Sequence, residues 1–238
     1  MNQALTRRLA AEFTGTGLLV AVVVGSGIAA TRLTNDAALR LLVNSLVTAM
    51  GLAVLILVFS PAGGAQFNPV VTGADWLLRR RTAQRYPVGH AVAVIACQIT
   101  GAISGTALGD AMFGLALLGR STTVRTGGPL LLSEVVATAG LLLILVALAR
   151  TDRIQHASWA VGAWIGAAYW FTASTSFANP AVTIGRTLTD TYAGIAPGSA
   201  PAFIAAQVIG GALGTVLAVA LYPASGDKVS ETQAQLTG

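Results

Sequence analysis

The chain has 238 residues, of which 54% are hydrophobic and 10% charged, and its mean hydropathy is +0.72; ordinary soluble domains carry roughly 25% charged residues. The composition excludes a soluble fold, and the recurrence of long apolar runs excludes a single-anchor protein. The formal charge of +5 does not point to nucleic acid, because the basic residues lie singly or in short clusters between apolar runs rather than along one helical face.

In chain order, Met1 to Arg8 is short and basic and runs into a long apolar stretch with no cleavage signal after it, so a first transmembrane helix is read rather than a removable leader. A span needs about 20 mostly apolar residues. Six are read, over residues 9–30, 41–60, 88–109, 130–149, 157–174 and 201–222. An even count puts both termini on one side. On that topology Arg7, Arg8, Arg79, Arg80, Arg81, Arg85, Arg150, Arg153 and Lys228 share one side and Arg32, Arg40, Arg120, Arg125 and Arg186 the other. The bias places both termini of a multi-pass membrane protein in the cytoplasm, and a bacterial inner membrane is the expected location. Residues 1–222 form one domain on this reading, and the polar tail 223–238 is expected to be a disordered cytoplasmic segment. Cys97, His90 and His156 form no ligand cluster, so no metal or cofactor is expected.

Two stretches, 61–78 and 175–190, are apolar but too short and too interrupted by Gly and Pro to cross a bilayer, and read as re-entrant segments. Each contains an Asn-Pro pair opening a helix-compatible run, Asn68-Pro69-Val70-Val71-Thr72 and Asn179-Pro180-Ala181-Val182-Thr183. Asn suits the N-cap and Pro the first helical position. Irregular backbone at membrane depth is tolerated only where protein buries it or an aqueous path meets it. Two such half-helices therefore imply a cavity.

The order repeats between about 5–115 and 128–222. Each half has a span with a glutamate (Glu12, Glu134), a second span, the Asn-Pro loop, and a span with Gln-x-x-Gly (Gln98 to Gly101, Gln207 to Gly210). Three spans per half make the halves inverted across the membrane. Gly101, Gly105, Gly109, Gly162, Gly166, Gly210 and Gly214 have the small-xxx-small spacing of close helix packing.

These motifs together resemble the major intrinsic protein family, over residues 5 to 222. The resemblance implies an all-α membrane protein with the aquaporin-like hourglass fold, six transmembrane helices plus two re-entrant half-helices in an inverted internal repeat. It also implies a pore in every subunit and a homotetramer in the lipid bilayer. Two half-helix N-termini pointing at one position repel cations, while the Asn68 and Asn179 amides donate to a passing oxygen. The resemblance implies that Glu12 and Glu134 brace the re-entrant loops; a proton relay is the competing reading.

Two departures from the family pattern bear on selectivity. Val70 replaces the alanine of the first motif, adding volume beside the constriction. Val182 stands where the family places an arginine, and Arg186, one turn on, is expected to face loop carbonyls or the outer surface. Ungapped placement puts the other filter positions at Thr48, Ala167 and Ser176, all small, with Phe67 and Phe177 as further pore-lining candidates. A wide, uncharged filter suits water and neutral solutes such as glycerol and arsenous acid, and the Val-for-Arg loop resembles that of channels found with bacterial arsenic-resistance functions. A proton- or ion-coupled secondary transporter and a non-conducting membrane interaction protein remain as alternatives. No catalytic constellation marks an enzyme.

Overall fold

The structure is a computed structural model and describes residues 3–223; Lys228 and the tail from 224 onward, expected to be disordered, lie outside the described residues. The first half comprises α1 (Gln3–Leu33), α2 (Ala37–Gly63), the half-helix α3 (Pro69–Arg79) and α4 (Val88–Met112). The second comprises α5 (Gly128–Arg150), a 3-10 turn (Ile154–His156), α6 (Ala157–Phe171), the half-helix α7 (Pro180–Arg186) and α8 (Ala200–Leu221). Among the described residues five helices, α1, α2, α4, α5 and α8, are long and apolar enough to span a membrane. The expected fifth span, α6, has 15 residues and stops at Phe171 rather than at 174, because Ala173 and Ser174 are drawn into the loop, where the Ser174 hydroxyl donates to Glu134.

Within each half the first and last long helices pack tightly, α1 on α4 and α5 on α8. Side-chain-free positions make this possible: a Cβ on Gly105 would lie 2.0 Å from the Gly17 carbonyl oxygen, and one on Gly214 would lie 2.0 Å from that of Ala139. These glycines occupy the same place in their halves, seven residues after Gln98 and Gln207, so the repeat seen in the sequence is a repeat of helix crossings. The halves join through α2 on α6, and each half-helix packs on the last helix of the other half, α3 on α8 and α7 on α4. Large apolar side chains such as Leu46, Met50 and Val54 on α2 face outward, as surface in lipid requires.

Candidate pore and its constriction

The two re-entrant loops are built alike. Asn68 caps α3, its Oδ1 accepting from Val70 N at 3.0 Å; Asn179 caps α7, accepting from Ala181 N at 3.0 Å and Val182 N at 3.3 Å. In each loop the residues one and three before the Asn are non-glycine with positive φ: Phe67 (51°) and Ala65 (45°), Ala178 (49°) and Ser176 (50°). Such conformations cost about 1–3 kcal/mol each and persist only where surroundings impose them.

Here the glutamates impose them. The Glu12 carboxyl accepts from Gln66 N (2.9 Å), Phe67 N (2.7 Å) and Gln98 Nε2 (2.8 Å). Glu134 accepts from Phe177 N and Ala178 N (both 2.9 Å), from the Ser174 hydroxyl (2.6 Å) and from Gln207 Nε2 (2.6 Å). Each glutamine also reaches the half-helix, Gln98 Nε2 to Thr72 Oγ1 and Gln207 Nε2 to Thr183 Oγ1, both at 2.9 Å. Both carboxyl groups are fully buried, and neither lines the cavity described next.

The loops lock to each other through their asparagines: Asn68 Nδ2 donates to the Ala178 carbonyl at 2.8 Å and Asn179 Nδ2 to the Phe67 carbonyl at 2.7 Å. Each amide nitrogen has two hydrogens, so one per asparagine is left over. Both asparagines line a cavity of about 560 Å³ that extends from Ser60, Gly64, Ile154 and Gln155 at one end to Arg186 at the other.

The helical walls of this cavity are stripes at i, i+4 spacing: Thr48, Leu52, Ile56 and Ser60 on α2, and Ala157, Val161, Ile165 and Tyr169 on α6. Leu19 and Val23 on α1 match Leu141 and Leu145 on α5, each seven and eleven residues after its glutamate. The walls are thus largely apolar, with polar groups concentrated at the asparagines and at the Arg186 end.

Of the expected filter positions, Thr48, Ser176 and Val182 are buried and line the cavity, as do Phe67 and Phe177. Ala167 does not: it is exposed on the outer side of α6. The α6 stripe instead presents Tyr169, whose hydroxyl donates to Thr48 Oγ1 at 3.3 Å across the α2–α6 interface. Because each helical residue turns about 100°, a two-residue slip in placement carries a side chain to the far side. The wall is therefore not made of small residues throughout. Tyr169 continues the i, i+4 stripe of Val161 and Ile165, but the stripe Trp159, Ala163, Ala167 and Phe171 is equally apolar, so spacing alone does not choose between them.

Val70 also departs from expectation. It is not among the cavity-lining residues; it turns toward α8, where a Cβ on Gly211 would lie 2.1 Å from its Cγ1. Gly211 stands four residues after Gln207, the place that Ala102 holds after Gln98. Across the halves, valine of the first half-helix meets glycine of the last helix, where the equivalent positions of the other half-helix and long helix, Ala181 and Ala102, are both alanine, so the added volume is absorbed between helices. Pro69 and Pro180 occupy the first helical position in both half-helices, and Ala181 is buried behind the loop.

Arg186 does meet a loop carbonyl, its Nε donating to that of Ala193, but it is not at the outer surface. It is 2% exposed and lines the cavity's end, with its guanidinium carbon 3.4 Å from the Phe177 ring centroid. Arg125, 5.1 Å from the same centroid, is held by the Gly194 and Tyr192 carbonyls.

Residues 1–171 match the sequence model of a family described as Major intrinsic protein. Aquaglyceroporin AqpS of Rhizobium meliloti (strain 1021) is 48% identical over 217 residues, covering 91% of this chain and 89% of the relative. The X-ray structure of the aquaglyceroporin from Plasmodium falciparum superposes with a TM-score of 0.68 at 17% identity, covering 89% of this chain and 94% of that one; at that identity the likeness is one of fold.

Proposed function

The chain belongs to the major intrinsic protein family, and from that premise we propose that it is a passive conduit for water and small uncharged solutes, with glycerol and neutral metalloid acids such as arsenous acid among them. The observation that carries this reading is a continuous cavity that runs past both half-helix caps, lined by apolar stripes and a few oxygen- and nitrogen-bearing groups. Apolar walls hold water weakly, and the left-over Asn68 and Asn179 hydrogens replace part of a solute's hydration at the crossing point. The name of the Rhizobium relative, an aquaglyceroporin, supports a polyol permeant. With valine at 182 the wall there is apolar and short, which favours a solute wider than water.

Glu12 and Glu134 act as braces: every contact they make goes to loop backbone, a loop hydroxyl or a neighbouring glutamine, away from the cavity. That disfavours a proton-coupled transporter, which needs a carboxyl group in the solute path. The single domain sits in the bacterial inner membrane with both termini cytoplasmic, so that Ser60 and Gln155 mark the cytoplasmic mouth and Arg186 the outer one. Outward-facing apolar side chains on α2 and Trp159 and Phe171 on α6 serve contact with lipid and with the neighbours of a homotetramer.

The test is stopped-flow light scattering of proteoliposomes under separate sucrose and glycerol gradients, with arsenite uptake in parallel and Val182→Arg alongside the native protein. A second guanidinium one turn from Arg186 meets about 2–3 kcal/mol of like-charge repulsion at an effective dielectric of 20 and fills the wall. Glycerol and arsenite permeability is expected to fall at least tenfold, about 1.4 kcal/mol in barrier, with water conduction less affected. Passage of water alone in the native protein would overturn the solute assignment; passage of nothing would overturn the conduit.

A further inference from the structure

Arg186 uses one of its five N–H donors. Nε is taken by the Ala193 carbonyl, and among the described residues the two terminal nitrogens have no hydrogen-bond partner. No carboxylate neutralises it either: the one ion pair among the described residues is Arg79 with Asp75, on the opposite side of the fold's topology. A guanidinium withdrawn this far from bulk water does not leave its donors unmet. Arg186 lines the end of the cavity, and its terminal nitrogens are not among the fully buried polar atoms, so they are open to that space. A second unmet donor lies in the same wall, the Ser176 hydroxyl, which is buried at 3% exposure with no partner.

The side chain is also held still. The Ala193 carbonyl accepts from Nε, the guanidinium carbon stands over the Phe177 ring at 3.4 Å from its centroid, and Ile195 N donates to the Arg186 carbonyl at 3.1 Å, tying the backbone to the same loop. Phe177 is in turn braced edge-on by Phe203 at 5.3 Å. A planar fork with one edge occupied and the other open to a path matches a solute carrying two oxygens on one centre.

We propose that Arg186, four residues beyond the position the family motif would use, is the specificity-determining cation of the outer constriction, and that its Nη1–Nη2 edge, with Ser176 Oγ, receives solutes bearing a carboxyl or comparable two-oxygen group. The proposal rests on the conduit reading for the path and adds to it a ligand class that an uncharged filter would not favour. The constriction keeps the width that Val182 gives it while retaining a fixed positive charge, which repels cations. An acidic solute is held there more tightly than the polyol of the same carbon skeleton.

The probe is glycerate, which differs from glycerol by one carboxylate. Calorimetric titration of the detergent-purified protein with glycerate is run beside inhibition of glycerol entry into proteoliposomes at pH 7, on the native chain and on Arg186→Gln, Arg186→Lys and Ser176→Ala. Glycerate is expected to bind and to slow glycerol entry; Arg186→Gln raises both constants at least tenfold, Arg186→Lys raises them less because charge remains without the fork, and Ser176→Ala raises them about threefold, roughly one hydrogen bond to a charged group partly replaced by water. Thermal unfolding of each variant identifies one that has failed to fold, in which case Ser176→Ala and Arg186→Lys carry the test. No glycerate binding by the native protein, or equal binding by native and Arg186→Gln, overturns the proposal. Glycerate binding without glycerol conduction would instead sustain this site and overturn the conduit reading on which the path was drawn.

Discussion

Gly211→Ala is the perturbation that most directly separates volume absorbed between helices from volume in the pore. The new Cβ would sit 2.1 Å from Val70 Cγ1, while ordinary contact begins near 3.4 Å, so the groups must part by 3.4 − 2.1 = 1.3 Å. Val70 is β-branched and helical, and its χ1 has one strongly preferred setting. Helix α8 cannot retreat freely, because Gly214 on the same helix already abuts the Ala139 carbonyl. The half-helix α3 is tied through Asn68 to the Ala178 carbonyl. Overpacking of this kind costs about 1–3 kcal/mol.

Val70→Ala in the same chain recreates the alanine pair of Ala181 and Ala102 and is expected to recover most of the loss, a coupling of about 1–3 kcal/mol. Val70→Ala alone leaves a void the size of two methyl groups and costs about 1–2 kcal/mol. The assay is the thermal midpoint of each purified variant in one detergent at one scan rate, with the glycerol-to-water permeability ratio measured in proteoliposomes. A Gly211→Ala protein as stable as the native one, or a double variant no more stable than Gly211→Ala, would rule out a tight Val70–Gly211 contact. A several-fold rise in glycerol permeability on Val70→Ala would put Val70 in the solute path after all.

Glu134→Gln puts a donor in place of one of two carboxylate oxygens, opposite either Phe177 N and the Ser174 hydroxyl or Ala178 N and Gln207 Nε2; a loss of about 3 kcal/mol is expected from two charge-assisted bonds. It should appear as a lower thermal midpoint and a lower folded yield, and a normally stable variant with abolished flux would instead argue for a carboxyl in the path. Tyr169→Phe removes the hydroxyl that meets Thr48 and should change the glycerol-to-water ratio by up to tenfold, the equivalent of about 1.4 kcal/mol. Ala167→Leu on the outer face should leave that ratio unchanged. The reverse pattern in the same flux assay would restore Ala167 to the constriction.

Local rules and motif spacing were enough to place the helix starts and the repeat. Asn before Pro in an apolar run is a capped helix start wherever it occurs, and two of them at matching distances from Glu, Gln and Gly define the inverted halves. The bracing role of Glu12 and Glu134 came from the family resemblance and not from spacing; the contacts to the N–H groups one and two residues before each capping Asn are read from the structure. Only the tertiary structure decided which way the wall residues turn. Helix α6 is apolar on all sides, because lipid and the cavity wall both accept apolar groups, so no polar face marks its register and Tyr169 could not be told from Ala167 by composition. The direction of Val70 depends on a glycine 141 residues away in the chain. The inward position of Arg186 depends on a loop that returns Ala193 and Ile195 to it. Those contacts are made between distant segments whose meeting no local pattern encodes.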